Sequence, residues 1–321
     1  MRYLFSLIAL LGLVMAGSLP TVAPQRQIEA DGAVNDIVLS DDGALIAGTD
    51  HGSLQRIDLQ SFKVETLLHL PQVKDFMGDK IDDKVFSVDE LGGRYLILSD
   101  SGQGGFSDLR ILENGKVTKL FGAEERHSIV KARFVDKNHI LYATLGNEAV
   151  LYEIGTGKEL YREQLSESKF SDFSMDSRRK RAVFGCESGE LTVIETATGK
   201  ILKRIEKLHV DNVFSVDIRQ DWVIAGAQDR RASYYNLSSG EHGYFKSDFL
   251  IYAVALSPAA KTAAYAMHDD NSITLYHLDT KTPFALLKGQ KSILTRIVFK
   301  DETTLFSASH DPSIMLWKIK P

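Results

Sequence analysis

Apolar residues fall in short runs divided by polar turns, and the same order of runs recurs along the chain. Each unit opens on an apolar run that alternates poorly, as a strand buried on both faces does: Val34-Asn-Asp-Ile-Val-Leu39, Val85-Phe-Ser-Val88, Val130-Lys-Ala-Arg-Phe134, Phe170-Ser-Asp-Phe173, Val213-Phe-Ser-Val-Asp-Ile218, Tyr252-Ala-Val-Ala-Leu256 and Leu294-Thr-Arg-Ile-Val-Phe299. A turn rich in Asp, Ser and Gly comes next, such as Ser40-Asp-Asp-Gly43 or Asp176-Ser-Arg-Arg179, because these side chains bond their own backbone and tolerate tight geometry. A second strand runs into a turn holding Asp50, Asp100, Asp229, Asp270 or Asp311. A third strand carries one large residue in register: Ile57, Ile111, Tyr152, Ile194, Tyr235, Tyr276 or Trp317. The internal units add a more polar fourth strand, as in Lys200-Ile-Leu-Lys-Arg-Ile205 and Pro283-Phe-Ala-Leu-Leu287.

The aligned positions are separated by 54, 41, 42, 41, 41 and 41 residues. Strand units at this period are the mark of β-propeller blades, each burying its face against the next. The 321 residues are therefore expected to make one all-β domain of seven blades. The expected blades span 33–70, 84–122, 127–165, 169–206, 209–247, 250–288 and 291–319, within a domain of 25–320. The last unit lacks a fourth strand, and the segment Gln25-Arg-Gln-Ile-Glu29 precedes the first with no partner of its own. Both observations are met if residues 25–30 complete the last blade and close the ring, removing a bare sheet edge. The long interval holds Pro71-Gln-Val-Lys-Asp-Phe-Met-Gly-Asp-Lys80 and the glycine-rich turn Gly102-Gln-Gly-Gly105. Extra residues in a repeat array enter loops on one rim, often the rim that binds. The glycines lack the strand-turn-helix setting and lysine of a phosphate cradle, so a flexible loop is expected there.

Residues 1–17 read as a signal peptide: Arg2, an apolar run from Leu4 to Val14, then Ala16, Gly17 and Ser18. A periplasmic destination is expected, with no stable membrane span once the leader is removed. No cysteine stands where a lipid could be attached, and the single Cys186 forbids an internal disulfide. Cys186 lies on an apolar strand, where a free thiol behaves as a small hydrophobe. The net charge of −5 gives no general attraction to phosphate backbones. The basic run Arg178-Arg-Lys-Arg181 has no interleaved aromatics, so it reads as a solvated hairpin tip rather than a nucleic-acid contact.

The final unit resembles a WD40 repeat over its whole length, from Leu287-Lys-Gly-Gln290 through Leu305-Phe-Ser-Ala-Ser-His-Asp311 to Ile314-Met-Leu-Trp317. The resemblance implies a hydrogen-bonded brace within the blade, formed here by Gly289-Gln290, Ser307, Asp311 and Trp317, with Gln replacing the usual His. The fifth unit keeps His209, Asp229 and Tyr235, but Ala225 stands at the serine position. A WD40-like propeller with an export leader is also similar to the NapL-type accessory proteins of periplasmic nitrate reductase systems, through its leader, length and general pattern. That likeness implies a supporting role around a periplasmic redox enzyme.

Linear signatures of chemistry are missing: no nucleophile elbow, no His-Glu-x-x-His, no Cys-x-x-Cys. His51, His268 and His310 recur between second and third strands, and His127 and His209 precede inner strands. These loop types share one rim, so a ring of imidazoles binding metal or haem, or an enzyme site in the central channel, stands as the alternative reading. The pairs Asp41-Asp42 and Asp269-Asp270 are explained by turn geometry. The leading expectation is a non-enzymatic platform, without cofactor or metal, for a protein partner in the cell envelope, such as a nitrate reductase component. Its candidate partner-binding rim is His51, Phe106, His209, Arg230, Arg231 and His310.

Overall fold

The computed structural model describes residues 18–320, so the leader assigned to 1–17 lies outside the described residues. The seven apolar runs become the inner strands Val34–Leu39, Val85–Leu91, Ile129–Phe134, Phe170–Met175, Val213–Arg219, Val254–Leu256 and Leu294–Asp301. Each heads an antiparallel sheet whose strands follow one another outward. In the first blade these are Val34–Leu39, Leu45–Thr49, Ser53–Ile57 and Val64–His69. The architecture is a seven-bladed β-propeller, and the one-turn helix Ala123–Glu125 is the only helix among the described residues.

The last blade closes as the unpaired ends require. Arg26–Glu29 lies antiparallel to Asp311–Lys318, with Ile28 opposite Ile314, and the Gln25 N–H donates to the Leu316 carbonyl at 2.8 Å. A second stitch has no counterpart in the repeat pattern. Thr21–Val22 adds a fifth strand, parallel, to the sixth blade beside Leu286 and Leu287. The Leu286 and Lys288 N–H groups donate to the carbonyls of Pro20 and Val22 at 2.9 and 3.0 Å. One N-terminal segment thus sews the sixth and seventh blades together.

The core lies between blades. Trp317, fully buried, packs with Leu294, Ile297 and Leu305 of its own blade and with Ala253, Ala264 and Leu275 of the sixth. Its indole Nε1 donates to Ser307 Oγ at 2.8 Å. Ser307 donates to Gln290 Oε1 at 2.7 Å, Gln290 Nε2 donates to Ser309, and Ser309 donates to Asp311 Oδ1 at 2.7 Å. The glutamine amide accepts at one end and donates at the other, which is why it can stand where an imidazole usually does. In the fifth blade His209 bonds Asp229 through Nδ1 at 3.1 Å. Its Nε2 lies 2.7 Å from Ser233, a third-strand serine that replaces the one missing at Ala225.

Removing residues 18–29 exposes the edges of two blades and is expected to abolish cooperative thermal unfolding; an unchanged transition would contradict closure by this segment. Gln290→Leu takes away the acceptor of the buried Ser307 hydroxyl and is expected to cost about 1–3 kcal/mol in urea denaturation.

Candidate functional site

Six of the seven inner strands carry the same register shift, one residue after the strand begins. A bulge re-aims the side chains around it. Here the residue that follows the bulge is Asp36, Ser87, Lys131, Asp172, Ser215 or Arg296, and four of these six, Asp36, Lys131, Asp172 and Arg296, join in ion pairs between blades. Asp36 accepts the N–H of Val88 in the next blade at 3.0 Å, and Asp172 accepts that of Val216 at 3.1 Å. Two residues further on, Asp89 accepts Phe134 N–H and Asp217 accepts Leu256 N–H, both at 2.8 Å. These carboxylates clasp adjoining blades at the axis.

The same carboxylates meet cations from across the channel. Arg296 reaches Asp36 at 3.0 Å and Asp172 at 3.1 Å. Arg133 reaches Asp36 at 2.8 Å, and Lys131 reaches Asp172 at 2.6 Å. Burial opposes ionisation of Asp172, yet Arg296 and Lys131 hold it down at about 2. Burial, then the neighbouring Arg296, pushes the Lys131 ammonium down to about 7, against the pull of Asp172. At Asp172 the cations outweigh burial, and at Lys131 burial and the neighbouring cations outweigh the carboxylates. Below this layer Arg179 pairs with Asp89 at 2.5 Å and Arg219 with Asp217 at 3.0 Å. The basic run at 178–181 is thus no plain solvated tip. Arg179 spans to the second blade, and Arg181 pairs with Asp176 at 3.1 Å and with Asp221 of the fifth blade at 3.0 Å. The reason is reach: a guanidinium on an inter-strand turn extends to the carboxylates of other blades.

Where the chain inserts extra residues, a short hairpin stands on the rim: Val73–Lys74 paired with Lys80–Ile81. Its tip closes on itself through Gly78 N–H to Asp75 O at 3.0 Å and Asp75 N–H to Asp79 O at 2.9 Å. Asp75 Oδ1 also accepts the Met77 and Asp79 N–H groups, each at 2.9 Å. This turn leaves Phe76 95% and Met77 74% exposed. The glycine-rich loop beneath is packed rather than loose. Gly102 sits at φ +71, and a Cβ there would lie 2.6 Å from the Lys74 carbonyl. The two insertions form one unit. Beside it opens a cup lined by Phe86, Phe106, Val130 and Leu145, with Lys131, Asp172 and Arg296 among its polar lining.

The six expected rim residues are spread over four blades, with His209, Arg230 and Arg231 together in the fifth, where His209 and Arg231 both face Asp229. His51, Arg230 and His310 are exposed in three different blades. His209, only 3% exposed, is spent in its brace and presents no surface. Arg231 donates to the Leu208 carbonyl at 3.1 Å and lies over the Tyr244 ring at 4.6 Å. Phe106 alone of the six joins the cup. His127 packs edge-on against Phe121 at 4.7 Å, and His268 bonds Thr274 at 2.7 Å. Among the described residues no three His, Cys, Asp or Glu side chains come together to hold a metal ion. The candidate list lacked Phe76 and Met77; the sequence signal for them was the long repeat interval that contains them.

No family model matches the chain, and no curated protein matches it. Among solved structures it is similar to the β-propeller domain of Myceliophteria thermophila Cps50 (Swd1), a WD40-type propeller. The TM-score is 0.71 at 15% sequence identity, over 92% of this chain and 99% of that one. A likeness at that identity speaks for the fold, and nothing in these comparisons supports the NapL-type assignment.

Arg296→Met removes the cation shared by two buried carboxylates, leaving Asp36 to Arg133 and Asp172 to Lys131, and is expected to cost about 1.5–3 kcal/mol in chemical denaturation. Lys288→Ala, which removes an exposed pair with Asp270, is expected to cost less than about 1 kcal/mol; equal losses would contradict a structural role for the channel ions. Because the folded-state lysine value of about 7 lies below the ordinary 10.5, the unfolded chain binds more protons between them, and stability from this group rises with pH. The stability of the wild type relative to Lys131→Met is therefore expected to increase from about pH 7 to about pH 10. A gap independent of pH would refute this.

Proposed function

We propose that this chain is an exported, non-enzymatic platform that docks a protein partner on the rim bearing the Phe76–Met77 hairpin. The observation that carries the reading is the pair of large apolar side chains at 95% and 74% exposure, held out by a turn that satisfies its own backbone. A soluble protein gains nothing by presenting such residues on a closed turn unless something covers them, and bulky apolar anchors supply most of the energy of a docked interface. Phe86 and Leu145, 39% and 44% exposed, extend the apolar surface around the neighbouring cup. Most of the channel's charged side chains are engaged with one another, which favours assigning any chemistry to the partner.

The leader pattern at 1–17 supports a periplasmic location, and the finer form of the reading is an accessory or maturation role for a periplasmic redox enzyme such as nitrate reductase. Leader, length and repeat pattern are its support.

The test is crosslinking of the tagged chain in the cell that makes it, followed by fractionation and N-terminal sequencing. A stoichiometric partner is expected from the periplasmic fraction, lost with the double variant Phe76→Ser, Met77→Ser while the thermal midpoint stays unchanged. Capture that survives both substitutions would refute docking through the hairpin. A chain retained in the cytoplasm with its first residues intact would refute export.

A further inference from the structure

The cup beside the hairpin has the construction of a ligand site in its own right. Its volume is about 420 Å³, within the range of pockets that enclose a small molecule. Phe86, Phe106, Ile129, Val130 and Leu145 give it apolar walls, and Lys131 and Arg296 bring two cations to its lining.

The charge inventory of that layer is uneven. Lys131, Arg133 and Arg296 face only Asp36 and Asp172, while the next layer pairs one to one, Arg179 with Asp89 and Arg219 with Asp217. Asp172 has no capacity left for a ligand. Its Oδ1 takes Lys131 at 2.6 Å, and its Oδ2 takes Val216 N–H and Arg296, both at 3.1 Å. The cup's other carboxylate, Asp100, has Oδ1 engaged by Gly102 N–H at 2.8 Å. Lys131, by contrast, donates a single hydrogen bond among the described residues, that to Asp172. An ammonium has three donors, and with Nζ 5.4 Å from the centre of the Phe173 ring two of them remain without a hydrogen-bond acceptor.

We infer that the cup binds a carboxylate carried on an apolar body, the anion meeting Lys131 and Arg296 and the body lying against Phe86, Phe106, Val130 and Leu145. Such a group occurs on a free organic acid and at the C-terminus of a polypeptide ending in an apolar residue, and the chemistry at Lys131 is the same for both. The bound anion holds Lys131 in its charged form, so binding near neutral pH takes up a proton. This inference does not depend on the hairpin being a docking site.

Isothermal titration calorimetry of the mature chain tests it, in two buffers of different ionisation enthalpy at about pH 7.5. The probes are 3-phenylpropionate, its primary amide, and a pentapeptide ending in Phe with either a free or an amidated C-terminus. Saturable binding of a free carboxylate is expected, with its amide weaker by about tenfold or more and with proton uptake in the wild type. Lys131→Met should erase both the preference for the acid and the proton uptake. Leu145→Glu, on an exposed wall position where folding is not at risk, should abolish binding by repulsion. Binding of the acid alone identifies a small-molecule ligand, and binding of the free-ended peptide identifies a partner's terminus; either supports the inference. No saturable binding by any probe, or equal binding of acid and amide, would overturn it. The double variant Phe76→Ser, Met77→Ser should leave the titration unchanged, so failure here and failure of the docking reading are separately visible.

Discussion

An inner-strand carboxylate that leaves its own blade to accept a backbone N–H of the next is the contact on which the ring rests. Asp36, Asp89, Asp172 and Asp217 each do this at 2.8–3.1 Å. Hydrophobic burial between blades is plentiful but indifferent to exact rotation, whereas a charge-assisted hydrogen bond in a low-dielectric setting is satisfied over a narrow range of geometry. Unpaired, these charges would be costly to bury. Arg296, Arg133 and Lys131 answer that cost for Asp36 and Asp172, Arg179 for Asp89 and Arg219 for Asp217, so the clasps and the ion pairs stand or fall together.

The same commitment directs where function can lie. Cations and carboxylates from opposite blades meet in the channel, so most of its polar atoms already have partners. What remains for recognition is the mouth, where the one irregular interval of the repeat has been spent on a hairpin and a packed glycine loop. Stability sits at the axis and presentation at the rim. The cup is where they touch, because Lys131 belongs both to the ion network and to the lining of the opening.

Much of the fold was legible in the chain. The period of aligned positions ending at Trp317 announced the blades, and the unpaired run at 25–29 announced the closing strand, because both depend on local pattern and edge counting. Thr21–Val22 was not legible, since two residues pairing in parallel leave no periodic trace. In the last blade Gln290, Ser307, Asp311 and Trp317 were readable as a brace, but not Ser309, which links Gln290 to Asp311; in the fifth, Ser233 could not be foreseen because the substitute serine comes from a different strand. The site was read less well. The recurring rim histidines stood as an alternative metal or haem site, but the repeat itself explains their even spacing, and among the described residues no three potential ligands come together. His209 was claimed by its blade, and Arg179 by a carboxylate 90 positions away, a partnership that no local window contains. Phe76 and Met77 lay in the flagged insertion, but exposure is a property of the turn that holds them.

Native-state hydrogen exchange followed residue by residue bears most directly on the claim that side-chain clasps between inner strands hold the ring. The amides of Val88, Phe134, Val216 and Leu256 should exchange only through global unfolding, as slowly as the best-protected second-strand amides. Exchange of these four at the rate of the outermost strands, with the rest of the sheets still protected, would show that the blades are held by packing alone and would contradict the account.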